Sequence, residues 1–291
     1  MKRSISILFA LASMASAAAI AAEAAPPPKS KAPAKEASAA KAAAAGKAPR
    51  AKQQKPPPKL PVAEIVSRNV AARGGLAAWR AVSSLTMTGE MDAGGTAEAR
   101  LPFVMSLKRP HKNRLEITFK EQTAVQAWDG TQGWKLRPFL NRSDVESYTA
   151  DEAKSAAAAA ELDGPLVDFE QKGTKVELAG TEVVEGKNAY KLKLTPKGGR
   201  PLHLWVDAKS FLEVKIDGEP RRLDGRMHGV AIFYRDFRSV GGLQLPHTME
   251  TVVDKVAGSH KMTIQTIKVN PPLDESLFAR PRSAPAKPAK S

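Results

Sequence analysis

The sequence predicts a mainly β protein: a large antiparallel sheet or barrel of roughly ten strands, with two or three helical pieces. Three observations carry this. Residues 101–134, LPFVMSLKRPHKNRLEITFKEQTAVQAWDGTQGW, alternate apolar and polar side chains, so that Leu115, Ile117 and Phe119 share one face while Arg114, Glu116, Thr118 and Lys120 share the other. Turn residues then recur at strand-length intervals, at Gly186-Lys187-Asn188, Asp207-Ala208-Lys209-Ser210 and Gly241-Gly242. Helical spacing, by contrast, is confined to two short regions.

In chain order, Met1-Lys2-Arg3 followed by the apolar residues 5–11 and a small-residue cleavage pattern, Ala15-Ser16-Ala17 or Ala22-Glu23-Ala24, has the layout of a secretory signal peptide, expected to be removed near residue 22. Residues 23–60 are rich in Ala, Pro and Lys, and in residues 23–59 basic side chains outnumber acidic ones nine to two. Such a stretch cannot bury enough apolar surface to order itself. It reads as a basic linker, either a plain spacer or an arm leaning on anionic lipid or cell-wall polymer. Much of the net charge of +15 sits in these tails, so the charge does not imply a nucleic-acid surface. The folded part is expected over residues 61–280, with a disordered tail at 281–291.

Pro61 opens a helix running to about Val82, which Gly74-Gly75 should kink or divide. A strand with Leu85, Met87 and Met91 on one face leads into the 101–134 block. There Pro110, which has no N–H for a ladder, marks a strand junction, and Asp129-Gly130 a hairpin. Residues 136–141 look irregular, and 149–162, TADEAKSAAAAAEL, strongly helical. That helix is read either as packing filler or as a movable cover, since few large side chains grip it. The remainder is a β-meander: 176–185, 190–194, 202–206, 212–217, a polar loop at 218–225, then 227–237, 245–253 and 260–269. Leu273, Leu277 and Phe278 follow as a closing anchor.

Little in the sequence suggests catalysis. His111, His203, His228, His247 and His260 stand in no metal-ligand spacing, and there is no nucleophile elbow, zinc-protease motif or phosphate-cradling loop. No cofactor or metal is expected, and the protein reads as a binding protein, not an enzyme. The chain has no cysteine, so its stability rests on a core without disulfides, and no thiol is present to carry a lipid. A curled sheet with few helices to cover its apolar face has either a packed half-barrel core or a cavity suited to apolar molecules. On alternation alone, the lining candidates are Met87, Met105, Leu107, Leu115, Ile117, Phe119, Leu192 and Leu194.

Lys108-Arg109-Pro110, then Arg114-Leu115-Glu116, Trp128-Asp129-Gly130 and Trp134, resemble the outer-membrane lipoprotein carrier and sorting superfamily (LolA/LolB-like). The stretches at 183–197, 202–217, 241–250 and 269–281 are similar to its later strands. The resemblance implies an incomplete, half-open antiparallel β-barrel whose helices form a lid over an apolar cavity. It also implies a soluble periplasmic carrier, taking lipoprotein acyl chains (or other lipid) from an inner-membrane release complex to an outer-membrane acceptor. The family arginine that latches the lid through its backbone falls on Arg109. The basic linker, the Gly-Gly and the five-alanine helix depart from the pattern, which leaves the cargo open. The alternatives are an envelope-stress lipid sensor, for which a second domain would be expected, and a cell-envelope scaffold using the basic arm.

Overall fold

The computed structural model describes residues 55–92, 100–138, 142–256 and 258–281. The expected signal peptide, the expected linker up to residue 54 and the expected tail from residue 282 lie outside the described residues. Residues 55–60 lie against the sheet, where Tyr190 Oη donates to Pro58 O at 2.8 Å and Asn188 Nδ2 to Lys55 O at 2.8 Å.

Helix α1 spans Val62–Ala72 and α2 Leu76–Arg80. The division at Gly74-Gly75 is enforced by a close approach. A Cβ on Gly74 would stand 2.5 Å from Gly242 O, and both glycines hold positive φ, 115° and 91°. The strands are β1 Ser84–Asp92, β2 Arg100–Lys108, β3 Lys112–Phe119, β4 Gln122–Trp128, β5 Gly133–Arg137 and β6 Arg142–Ser147. Helix α3, Ala150–Ala159, intervenes before β7 Lys175–Val184, β8 Lys187–Thr195, β9 Leu202–Asp207 and β10 Glu213–Asp217. A small hairpin, β11 Arg221–Leu223 and β12 Arg226–His228, precedes β13 Val230–Val240, β14 Leu243–Val253 and β15 Ser259–Val269.

Among the described residues, thirteen strands form one antiparallel sheet in the order β6-β5-β4-β3-β2-β1-β15-β14-β13-β10-β9-β8-β7, with β11–β12 as a separate pair. The expected count of roughly ten is therefore too low. The strand β6, RSDVES, has a single large apolar residue and gives no alternation to read. The polar loop expected at 218–225 contains β11, and the strand expected at 227–237 is two, interrupted at Gly229. In the sheet order β6 and β7 are opposite edges and do not pair, so the sheet is not closed into a barrel.

This order decides what lies over the concave face. The chain runs out along β1 to β6, and must reach the far edge at β7 before returning through β15 to pair with β1. The connection, α3 and residues 160–174, makes that crossing. Helix α3 lies on β3, β4 and β5, while Leu162 and Val167 pack in the core beside β1 and β2, and Leu166 packs with residues of β8 and β9. The core accordingly has two main bodies. One lies over β1–β3 and β14–β15 with Trp79. The other sits between α1, which buries Ile65, Val66 and Asn69, and Tyr190, Leu192, Leu194, Leu204 and Val206 of β8 and β9.

Candidate functional site: a roofed apolar cavity and its polar latch

A cavity of about 140 Å³ lies between the concave face and the crossing connection. Its floor follows from strand register. Leu85 pairs with Leu107 and Met87 with Met105 across β1 and β2, so four apolar side chains project into it as one patch. Leu245 and Met249 of β14 and Ile264 of β15 extend the floor; Trp79 of α2 and the roof residues Glu161, Leu162, Gly164 and Pro165 complete it.

Of the residues expected from alternation, Met87, Met105 and Leu107 line this space. Leu115 lines, with Met105 and Ala156, a void of only about 20 Å³ beneath α3. Ile117 is packed solid in the same core body and Phe119 lies half-buried at its margin. Leu192 and Leu194 are not among the lining residues of either space; they are fully buried in the other core body, facing α1. Alternation placed them on the correct face of the sheet, but it carries no information about which helix covers which strand.

The roof is held at Asp163, whose side chain is 3% exposed. Arg109 Nη2 donates to Asp163 Oδ2 at 2.7 Å, and Lys172 Nζ donates to Oδ1 at 2.7 Å and to Gly164 O at 3.0 Å. Burial alone would raise the Asp163 pKa, but the hydrogen bonds from Lys172 and Arg109 outweigh it and hold the carboxyl below the usual carboxylate range. Arg109 sits just beyond β2. Its Nε reaches Val82 O at 2.7 Å and its Nη2 also reaches Trp79 O at 3.2 Å. These carbonyls close the short helix α2, where a cation is favoured. One arginine thus ties the end of β2, the end of α2 and the roof together. His111 Nδ1 stands 3.3 Å from Glu161 Oε1, and Lys172 also meets Glu161, at 2.5 Å.

A second arginine acts from inside. Arg73, the C-cap of α1, points Nη1 at Asp163 O (2.7 Å) and Nε at Glu213 Oε1 (3.3 Å), with its guanidinium 4.2 Å from the Trp79 ring centre. Trp79 Nε1 in turn donates to Arg73 O at 3.1 Å. Sequence reading did not single out Arg73, Asp163, Lys172 or Glu213. The only signals were that Arg73 precedes the Gly-Gly break and that Asp163-Gly164-Pro165 ends a helix. Glu213 is 140 residues along the chain from Arg73, and nothing local links them. Among the described residues no group of three or more histidines or carboxylates converges as a metal site, and no helix is long and apolar enough to cross a membrane.

No family model matches the sequence, and no curated protein matches it significantly. Solved structures do. A LolA superfamily protein from Nitrosomonas europaea aligns with 76% of this chain and 99% of its own at 15% identity and a TM-score of 0.52. A DUF1329-family protein from Desulfovibrio piger aligns with 75% of this chain and 97% of its own at 15% identity and a TM-score of 0.51. At these identities the likeness is one of fold: the large open antiparallel sheet with few helices is the LolA-type architecture.

Proposed function

We propose that the protein is an exported carrier that shields an aliphatic chain, of a lipoprotein or of a free lipid, in the roofed cavity and hands it on within the cell envelope. The observation that carries this reading is the pairing of an apolar floor with a roof held by ionic and backbone hydrogen bonds. The basic and then apolar start of the sequence supports export to the periplasm. The cavity itself supports binding in place of catalysis, since its wall is hydrocarbon apart from a few charged groups already engaged with one another.

The magnitudes suit transfer. A space of about 140 Å³ is close to that of an engineered apolar cavity that takes up benzene. The closed form therefore holds only the first few carbons, and a longer chain enters as the roof lifts. Each buried methylene contributes about 0.8 kcal/mol, so ten give roughly 8 kcal/mol gross. Lifting the roof breaks charge-assisted hydrogen bonds worth about 1.5–3 kcal/mol each when shielded. Arg109 is 39% exposed, so water screens its share towards the lower end. Latch and cargo are thus of comparable size, which allows both loading and unloading.

Native mass spectrometry of the full chain recovered from its own cell envelope tests the reading. Bound lipoprotein or free lipid supports it, while a protein that is uniformly unliganded and takes up no added lipid overturns it. For the latch, Arg109→Leu is expected to raise lipid uptake and to slow release to acceptor vesicles several-fold. Unchanged binding and transfer would remove Arg109 from the mechanism.

A further inference from the structure

The cavity wall is hydrocarbon except where the roof's Glu161 reaches it and at one corner, where Arg73, Glu213 and Tyr234 meet. Arg73 and Glu213 are 8% and 7% exposed. Their ion pair is therefore held inside the protein, facing the space the cargo would fill. Tyr234, on β13, adds a phenol that burial and the Glu213 charge keep protonated, with Arg73 opposing.

We propose that this corner seats the polar head of the cargo, and that the head it accepts is uncharged: an alcohol, ester or amide joined to an aliphatic chain. The proposal rests on the lipid-binding reading of the same cavity and narrows it. A guanidinium offers donors, a carboxylate acceptors, and a phenol either, so the corner answers a head that has oxygens and N–H or O–H groups together. A bare hydrocarbon would leave the pair facing apolar atoms without recompense. An anionic head is disfavoured because the positive charge is already met. Arg73 lies against Glu213, and an anion drawn to it would sit beside that carboxylate in a mainly apolar space, where like charges repel more strongly than in water. Among the described residues no other lysine or arginine lines the wall, and the charges of the roof are paired, Glu161 with Lys172 and Asp163 with Arg109 and Lys172. Fatty acids and anionic phospholipid heads are thereby selected against, and neutral glyceride or acyl-amide heads selected for.

Calorimetric titration of the full chain at pH 8 with toluene, 1-octanol and octanoate tests this. Toluene reports the apolar space alone. The expected result is that octanol binds at least roughly tenfold more tightly than octanoate. Glu213→Gln, which leaves the Arg73 charge unanswered, should reverse that order. Tyr234→Phe removes only a hydroxyl, and should weaken octanol roughly threefold with toluene unchanged. Octanoate binding as tightly as octanol to the unmodified protein overturns the head-site assignment while leaving the carrier reading in place. Failure of all three probes to bind overturns the carrier reading itself.

Discussion

Helices α1 and α3 both lie on the concave side of one sheet, yet they are held by opposite means. Helix α1 sets Ile65 and Val66 against Tyr190, Leu192, Leu194 and Leu204, all but Val66 essentially inaccessible to solvent. Inside that face the fully buried Asn69 also donates Nδ2 to Phe211 O at 2.8 Å. Helix α3 presents Ala153, Ala156 and Ala160 to Trp128 and Tyr148. Its firm contacts are polar: the capping box between Thr149 and Glu152, and the buried ion pair of Glu152 with Lys135. Trp128, beneath it, has an indole N–H with no acceptor among the described residues. Apolar packing cannot be released without exposing hydrocarbon, whereas hydrogen bonds and ion pairs are re-formed with water as a segment lifts, at about 1.5–3 kcal/mol for each charge-assisted bond. On this comparison α1 is part of the wall, while α3 and the Asp163 segment are the part able to move.

The largest expected effect is on the α1 side. Leu192→Ala should lower global stability by about 2–5 kcal/mol in urea unfolding, because the cavity it leaves cannot refill from rigid neighbours. A loss below about 1 kcal/mol would place α1 in the same loose category as α3. Next, Asp163→Asn should loosen the roof by about 2 kcal/mol. Hydrogen exchange and limited proteolysis over residues 160–174 should report this while the urea midpoint moves far less; equal changes in both would show that roof and wall open together.

The sign of the pH response follows from the same carboxylate. Its folded pKa is depressed, so its contribution is complete above the unfolded carboxylate value, near pH 4, and is lost as pH falls through the lower folded value. Exchange in the roof should therefore be flat between about pH 5 and 8 after correction for intrinsic rates, and should rise only in stronger acid. A transition near neutral pH would mean that another group controls the roof. The smallest effect is expected from Thr149→Ala, which removes one half of the capping box and should cost α3 about 1 kcal/mol with little change elsewhere.

Much of the architecture was legible in the chain because its signals are local. Alternation in 101–134 marks β2, β3 and β4, and the pattern at 243–253 is buried at every second residue along all of β14. Gly74-Gly75 marks the break in the first helix through the positive φ that glycine admits, although the approach of Gly242 O that also excludes a Cβ at Gly74 is tertiary, and Thr149 with Glu152 starts α3 through groups three residues apart. The edge strand β6 escaped because an edge needs no apolar face to be paired on one side. Leu192 and Met105 were indistinguishable for a similar reason, since alternation assigns a face of the sheet and not a neighbour across it.

What the residues settled by themselves is thus the strand-rich class, the break in the first helix and the apolar side of each strand, all properties of contacts within a few residues. Tertiary structure alone decided that β6 and β7 end up as opposite edges, so that the link between them must cross the hollow. It also brought Arg73, Arg109, Asp163, Lys172 and Glu213 to one place. The physical reason is that charges distant in the chain attract one another strongly only where the rest of the fold has already lowered the local dielectric, and the cost of desolvating them is offset by the packing of the whole core and not by any local stretch of sequence.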